Sequence, residues 1–481
     1  WAKTLTGLPK QLPQENKPES LADSSSPVDD SSRSSSPVSL KGLSGYLTER
    51  KNAGEITEQE AEDTIRRVNE WLTNKAYPQK LVAKLKALIE DAVWPTIIES
   101  FYRILDFGTA GKRGRQVDEK GDVLPGTNVI NDYTVAEYTL GLARYLKNTG
   151  QEMRGVVLGG DTRIKSILPY RDEVSYTELE AKILRRMGIK VYCFKGPRSI
   201  AQAAWATVKF DAASMEYNSA SHNLWHDNGV KASNEFSAQL FADERKGILQ
   251  EIENVRPEDI AELDLDEFDL EEDRKNNPGM HILLGSKEDK EKDRSIIDID
   301  SEYIKVSQSY VVDKELIRRY SAQVYSLFTP IQGSGIYTIP QTLNDGREFK
   351  FNLFVYKAQA EQDKEGRFNT TEKPDPNYIN QKTGRRTMDK AIAEAEKLEG
   401  GLGITFDFVF GTDPDADRSS YAVRDREGRW IILRANDVWS LFTWYMLSQR
   451  QLKQGSVIKT WVTTDLIKDI AEDPQFGLKV Y

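Results

Sequence analysis

Cysteine is almost absent from the 481-residue chain. The one thiol, Cys193, lies in the apolar run Lys190-Val191-Tyr192-Cys193-Phe194; it cannot form an internal disulfide, so a reducing compartment is expected. Histidine is nearly as scarce, with three. His222 and His226 have the i, i+4 spacing of a zinc-binding helix, but Asn223 stands where a zinc protease carries its glutamate and only His281 remains as a further ligand, which argues against a zinc hydrolase. His226 reads as an incidental surface residue. Positive charge is not in excess: 66 Lys and Arg against 76 Asp and Glu leave a net charge of −10, a surface that repels a polyanion, so no nucleic-acid partner is expected. No apolar run reaches the length of a membrane span, and Trp1-Ala2-Lys3-Thr4 lacks the charged-then-apolar order of a secretory signal. The expected location is cytoplasmic, without membrane contact. A Gly-x-Ser-x-Gly elbow is also missing around Ser221, whose flanks are Ala220 and His222, so the hydrolytic triad pattern is not met. Nothing in the composition fixes an oligomeric state.

The length suggests roughly three domains. Residues 1–45 are expected to be a disordered Ser/Pro-rich tail, with Ser24-Ser25-Ser26-Pro27 nearly repeated at Ser34-Ser35-Ser36-Pro37; a passive linker is favoured over a phosphorylated regulatory segment. Residues 46–98 read as a helical lead-in. Thr57 and Glu60 have capping-box spacing, and Ala61, Ile65, Val68, Trp71 and Leu72 follow at helical intervals, as do Leu81, Leu85, Leu88 and Ala92 after Pro78. Residues 99–303 alternate helix (133–146, 176–187) and strand (155–158, 190–194), with 251–300 expected to be a solvated connector. Residues 304–429 give a second unit, with a strand at 323–328, a Pro330-Ile331-Gln332-Gly333-Ser334-Gly335 loop and a helix at 389–398, and residues 430–481 begin a third. The fold class is α/β: successive units of mixed, mostly parallel sheet sandwiched by helices, with ligands expected at the carboxyl ends of strands.

Two stretches carry chemistry. In Ser219-Ala220-Ser221-His222-Asn223 a hydroxyl stands beside an imidazole, and Asn228-Gly229 is expected to turn the chain so that Lys231 returns toward Ser221. A serine without a triad suits carriage of a phosphoryl group, which brings close to two negative charges and needs a divalent cation and basic neighbours. Downstream, an apolar run at 404–410 breaks into Gly411-Thr412-Asp413-Pro414-Asp415-Ala416-Asp417-Arg418. Three carboxylates at alternate positions suit magnesium, whereas a calcium EF-hand fails at Arg418 and Arg424. Lys112, Arg113, Arg115, Lys231 and Arg418 supply local positive charge for an anionic small substrate.

With Phe107-Gly108-Thr109-Ala110-Gly111-Lys112-Arg113-Gly114 and Gly160-Asp161-Thr162-Arg163, these stretches resemble the alpha-D-phosphohexomutase family, in its longer phosphoglucomutase-like branch, from about Trp71 onward. The resemblance implies a mutase moving phosphate between C1 and C6 of a hexose, glucose 1-phosphate to glucose 6-phosphate, through a phosphoserine at Ser221 and a bisphosphate intermediate. Phosphomannomutase and phosphopentomutase specificities stand beside it. It implies Mg2+ held by Ser221, Asp413, Asp415 and Asp417, a sugar 1,6-bisphosphate as activator, and Arg113 and Lys231 as general acid and base. His222 is expected to orient the serine; Arg418, Asn223 and Arg163 are the expected substrate- and phosphate-binding residues. The implied multi-domain fold has an incomplete third unit and lacks a fourth domain, with the sugar-selecting loop expected beyond Tyr481. Departures from the family pattern are Ser219 for Thr, Leu224 for Pro, Gln332 for His and the polar strand Ser214-Met215-Glu216-Tyr217-Asn218, where Glu216 must point away from a phosphoserine or weaken it. The alternative reading is a non-catalytic phosphosugar- and magnesium-binding relative acting as a sensor or partner module.

Overall fold

The expected capping box at Thr57 is present: the Thr57 hydroxyl accepts from the Glu60 amide at 3.1 Å and the Glu60 carboxylate accepts from the Thr57 amide at 2.8 Å. In this computed structural model residues 39–108, 111–450 and 455–481 are described, so the tail over 1–38 and the Thr109-Ala110 pair of the glycine loop lie outside the described residues. Helix α1 (Lys41–Asn52) begins inside the stretch expected to be disordered. Its Leu43 and Leu47, one turn apart, are fully buried, and this apolar pair overrides the polar composition around it. Helices α2 (Glu58–Thr73), α3 (Gln79–Glu90) and α4 (Trp94–Phe101) complete the lead-in. Trp71 anchors it, stacked on Tyr77 at 4.5 Å and edge-on to Phe101 and Tyr133, so α2 is tied to α5 (Asp132–Asn148).

The first sheet contains β1 (Phe107–Gly108), β2 (Gly111–Arg115), β3 (Val156–Gly160), β4 (Val191–Phe194), β5 (Ser214–Asn218), β6 (Asp227–Ser233), β7 (His281–Gly285) and β8 (Ile297–Asp298), in the order β1-β2-β6-β5-β3-β4-β7-β8. The block β5-β3-β4-β7-β8 is parallel and β1-β2-β6-β5 is antiparallel. Strand alternation splits the core into two layers. Val156, Leu158, Val191 and Cys193 pack with α5, α6 (Tyr176–Arg186) and α8 (Ala242–Glu253), whereas Val157, Tyr192, Phe194, Met215 and Tyr217 pack with α7 (Ile200–Lys209). The expected connector at 251–300 is corrected here: it supplies β7 and β8, because His281-Ile282-Leu283-Leu284 pairs with β4 and buries Leu284 completely.

The second sheet runs β10 (Asn352–Val355), β9 (Tyr325–Thr329), β11 (Phe408–Thr412), β12 (Ser419–Arg424) and β13 (Trp430–Ile432), parallel from β10 to β11 and antiparallel beyond. Helix Asp389–Leu402 covers it through Ala391, Ile392 and Ala395 and ends on Gly403 in the left-handed region (φ 66°). The third unit does not start at Trp430. That residue pairs with Arg424 through a turn closed by Asp425 and Gly428, so β13 belongs to the second sheet. Helices Ala435–Arg450 and Leu466–Glu472 follow, with a small parallel pair, Ser456–Val457 and Lys479–Val480. Among the described residues no helix is long and apolar enough to cross a membrane.

Candidate active site

Strands β3 and β5 end side by side, Gly160 opposite Asn218, so Asp161 and Ser219 leave the sheet together at its carboxyl edge. The Ser219 hydroxyl donates to Asp161 Oδ2 at 2.7 Å, lies 3.2 Å from Asp415 Oδ2 and accepts the Ser221 amide at 2.7 Å. Serine thus keeps the hydroxyl that threonine supplies in the family pattern. Ser221 turns with φ 53°, a conformation that costs an L-residue roughly 1–2 kcal/mol.

Arg163 offsets that cost. Its Nη2 donates to the carbonyls of Ser221 (2.5 Å) and Asn223 (2.7 Å), Nη1 to those of Leu224 (2.7 Å) and Asp227 (3.0 Å), and Nε faces Asp161 at 3.3 Å. The side chain is wholly buried against the Phe368 ring. The phosphate contact expected of Arg163 does not fit this placement, because its donors are committed to the loop's own carbonyls. Leu224 contributes its carbonyl here, an acceptor that a proline at that position would equally supply.

The expected turn at Asn228-Gly229 is also corrected: both residues lie in β6. Glycine is required there by close approach, since a Cβ would stand 2.5 Å from the Lys112 carbonyl and 2.9 Å from that of Ser219. Asn228 donates to the Ile164 carbonyl at 3.0 Å. Lys231 reaches the site by strand register, opposite Tyr217 on one side and Gly111 on the other.

The second unit brings the carboxylates. After β11, Asp413, Asp415 and Asp417 offer oxygens all within 4.8 Å of one another. The Pro330–Gly335 loop buttresses them: Ser334 donates to the Pro414 carbonyl at 2.7 Å, and a Cβ on Gly333 would meet Pro414 Cα at 2.5 Å. Gln332, in the left-handed region with φ 58°, is buried and turned to Thr370 and Asn369, while Thr162 donates to its carbonyl at 2.7 Å. The Ile200 amide donates to the Asp415 carbonyl at 3.0 Å. These contacts bring the serine and aspartate loops together: Ser221 Oγ donates to Asp413 Oδ2 at 3.0 Å and lies 3.3 Å from His222 Nδ1.

Charge is concentrated here. Burial and then the neighbouring Asp415 and Asp417 push Asp413 up to about 9, whereas burial of Asp415 is outweighed by the Lys231 ammonium, which holds that carboxyl below its usual range. Lys231 Nζ hydrogen-bonds Asp415 and lies 3.6 Å from Asp417. Asp415 Oδ1 is buried without a partner. Three clustered carboxylates, one oxygen of which lacks any donor, fit a hard divalent cation. Burial and then Arg418, Lys373 and Arg113 push His222 down to about 4, so it is neutral at pH 7. The Arg418 amide donates to Asp413 at 3.1 Å and its exposed guanidinium stands 3.9 Å from Asp375; Arg113 is exposed on β2. Asn223 bonds Asp227 at 3.0 Å and His226 bonds the same residue at 2.9 Å, outside any helix.

Sequence reasoning missed Lys373 and Asp375. They lie in a polar loop pinned by Asn377 to the Ser419 carbonyl, and the rigid Pro374-Asp375-Pro376 is the signal that could have found them. Glu216 points away from Ser221, into the layer of α5 and α6, where it accepts from Thr139 at 3.3 Å beside the buried Glu180.

Residues 105–259 match the model for domain I of phosphoglucomutase/phosphomannomutase, an alpha/beta/alpha domain, and residues 301–428 match domain II. The chain is 26% identical over 378 residues to a phosphoglucomutase of Staphylococcus aureus, and 26% identical over 387 residues to that of Staphylococcus haemolyticus. Each match covers 78% or 79% of this chain and 58% or 60% of the relative, so the chain spans less than two thirds of their length. A Thermus thermophilus structure assigned as a phosphomannomutase shares the fold with a TM-score of 0.54 at 19% identity, over 79% of this chain and 69% of that one. The open form of Paramecium parafusin, a phosphoglucomutase, gives 0.52 at 15% identity, over 79% and 62%. Two consecutive domain matches, on the two units that meet at Ser221 and Asp413, place this chain in the phosphoglucomutase/phosphomannomutase family.

Proposed function

We propose that the chain binds a hexose phosphate, glucose 1-phosphate first among candidates, and exchanges a phosphoryl group with it through Ser221, as part of C1–C6 phosphate transfer with a sugar 1,6-bisphosphate as activator. The observation that carries the reading is the Ser221 hydroxyl, held in a left-handed turn and hydrogen-bonded at 3.0 Å to a three-carboxylate cluster from another unit of the chain. Carboxylates facing a serine, with only Lys231 and Arg418 beside them, would repel a phosphoserine. Asp413, Asp415 and Asp417 with Ser221 would hold Mg2+, which when bound supplies charge neutralisation for a phosphorylated serine.

The chain's own residues handle the rest. Neutral His222 orients Ser221 Oγ from 3.3 Å, and its neutrality avoids competition for the carboxylates. Arg113, Lys373 and Arg418 form a cationic rim around His222 for the substrate's phosphate groups, and Asp375 stands within ion-pair distance of both Arg418 and Lys373. Lys231 and Arg113 are the proton-handling groups. Arg163 and Ser219 bind no substrate and fix the loop. The names of the relatives support the sugar phosphate class. Peptide mass mapping tests it: Ser221 carries a phosphate that incubation with glucose 1-phosphate removes, and a Ser221 peptide never phosphorylated, even after treatment with the sugar bisphosphate, refutes it.

A further inference from the structure

The Lys231 ammonium lies among two of the three carboxylates assigned above to a divalent ion. It bonds Asp415 Oδ2 and stands 3.6 Å from Asp417 Oδ2. Among the described residues it is the only basic side chain in ion-pair contact with Asp415, and none pairs with Asp413; Arg418 reaches Asp417 at 3.8 Å, from a largely exposed position. The lysine is nearly buried, with 7% of its side chain accessible, and its backbone is clamped between β2 and β5, so only the side chain can move. Clustered buried carboxylates need a counter-charge. Lysine brings a single charge and leaves Asp415 Oδ1 without a partner.

A divalent ion bound by Asp415 and Asp417 would come within a few ångströms of this ammonium, because all the candidate ligand oxygens lie within 4.8 Å of one another. At that separation, in a buried site, repulsion between the two cations is severe. Both cannot hold the cluster in this arrangement.

We propose that Lys231 is the resident cation of the Asp413, Asp415 and Asp417 cluster, and that a divalent ion binds by exchange, displacing the ammonium from the carboxylates. This regulates the same site: ion binding releases the lysine side chain from Asp415 and Asp417, and the metal-free protein keeps it paired with them. The inference rests on the reading of the cluster as a metal site. Its mark is opposite to that of a lysine that merely supports the site, because removing a competitor tightens ion binding while removing a support weakens it.

The experiment is calorimetric titration of the full chain with Mn2+ and with Mg2+, for the wild type, Lys231→Met and Lys231→Gln, with thermal melts of each in the presence and absence of the ion. Both substitutions should tighten ion binding by about tenfold to a hundredfold, the equivalent of one charge-assisted hydrogen bond. The metal-free variants should melt below the wild type, and saturating ion should raise their melting temperature more than it raises that of the wild type. Lys231→Gln serves if the methionine variant fails to fold. Equal or weaker binding by the variants, with the wild type binding normally, overturns the exchange alone. No binding by any of the three overturns the metal reading and the exchange with it.

Discussion

The Arg163 guanidinium donates to the Ser221 carbonyl at 2.5 Å and, with the same planar group, to the carbonyls of Asn223, Leu224 and Asp227. The serine loop is therefore wrapped around an arginine from the neighbouring strand end, and its left-handed residue is fixed from beneath.

Arg163→Leu removes these bonds and leaves Asp161 buried without its counter-charge. It should destabilise the protein by about 3–5 kcal/mol, the range for breaking a buried pair. Arg163→Lys should recover only part of this, because an ammonium cannot span four carbonyls in one plane. Urea unfolding measures the first effect, and limited proteolysis between Ala220 and Asn228 should show the loop opening in both variants.

Gly229→Ala tests the corrected role of the Asn228-Gly229 pair. A turn glycine with positive φ would be sensitive to strain, but this glycine is in strand β6 and lacks room for a methyl group against backbone on two sides. The expected cost is about 1–3 kcal/mol with the loop displaced. Gly400→Ala, inside the helix Asp389–Leu402 with open space around it and no positive φ, should be neutral or stabilising by up to about 1 kcal/mol and serves as a reference.

The Glu180 and Glu216 pair gives a pH dependence with a definite sign. Burial pushes Glu216 up to about 8, and burial and then the Glu216 charge raise Glu180 as well. From about pH 4.5 to 8 the unfolded chain releases protons that the folded chain keeps, so stability falls as pH rises through this window. Glu216→Gln removes the penalty: at pH 5 the variant should match the wild type, and at pH 8 it should be more stable by roughly 2–4 kcal/mol. Melts at the two pH values decide it, and equal differences at both would contradict the assignment.

Asp415→Asn leaves Lys231 without its hydrogen-bonded carboxylate and removes one oxygen charge from the cluster. Divalent-ion binding should weaken by at least about tenfold. Asp425→Asn, in the β12–β13 turn away from the cluster, should leave ion binding unchanged, as titration of both variants will show.

How much of this was legible follows from where the signals lie. The Ser221 and Asp413 loops were legible because they are contiguous and end strands of recognisable pattern. Their meeting was implied only by the family resemblance, because it depends on long-range contacts such as Ile200 to Asp415 and Thr162 to Gln332, which local sequence does not encode. Arg163 looked like a phosphate ligand because arginine at a strand end suits an anion as well as it suits carbonyls; only burial separates the two. Asn228-Gly229 carries a strong turn signal, yet tertiary packing uses the glycine for closeness. Strand β7 was hidden by the acidic stretch before it and the charge run after it, and β13 by its shortness. Of the two outcomes open for Glu216, pointing away from Ser221 or weakening a phosphoserine there, strand alternation gives the first by turning it to the opposite layer, against Thr139.

The most direct test is to incubate the wild-type chain and Ser221→Ala with glucose 1,6-bisphosphate labelled in its phosphate groups, in the presence of Mg2+, and then to chase with unlabelled glucose 1-phosphate. The account predicts label on the wild-type protein, confined to the Ser221 peptide and removed by the chase, and none on Ser221→Ala. Equal labelling of the two proteins, or wild-type label that the chase leaves in place, would contradict it.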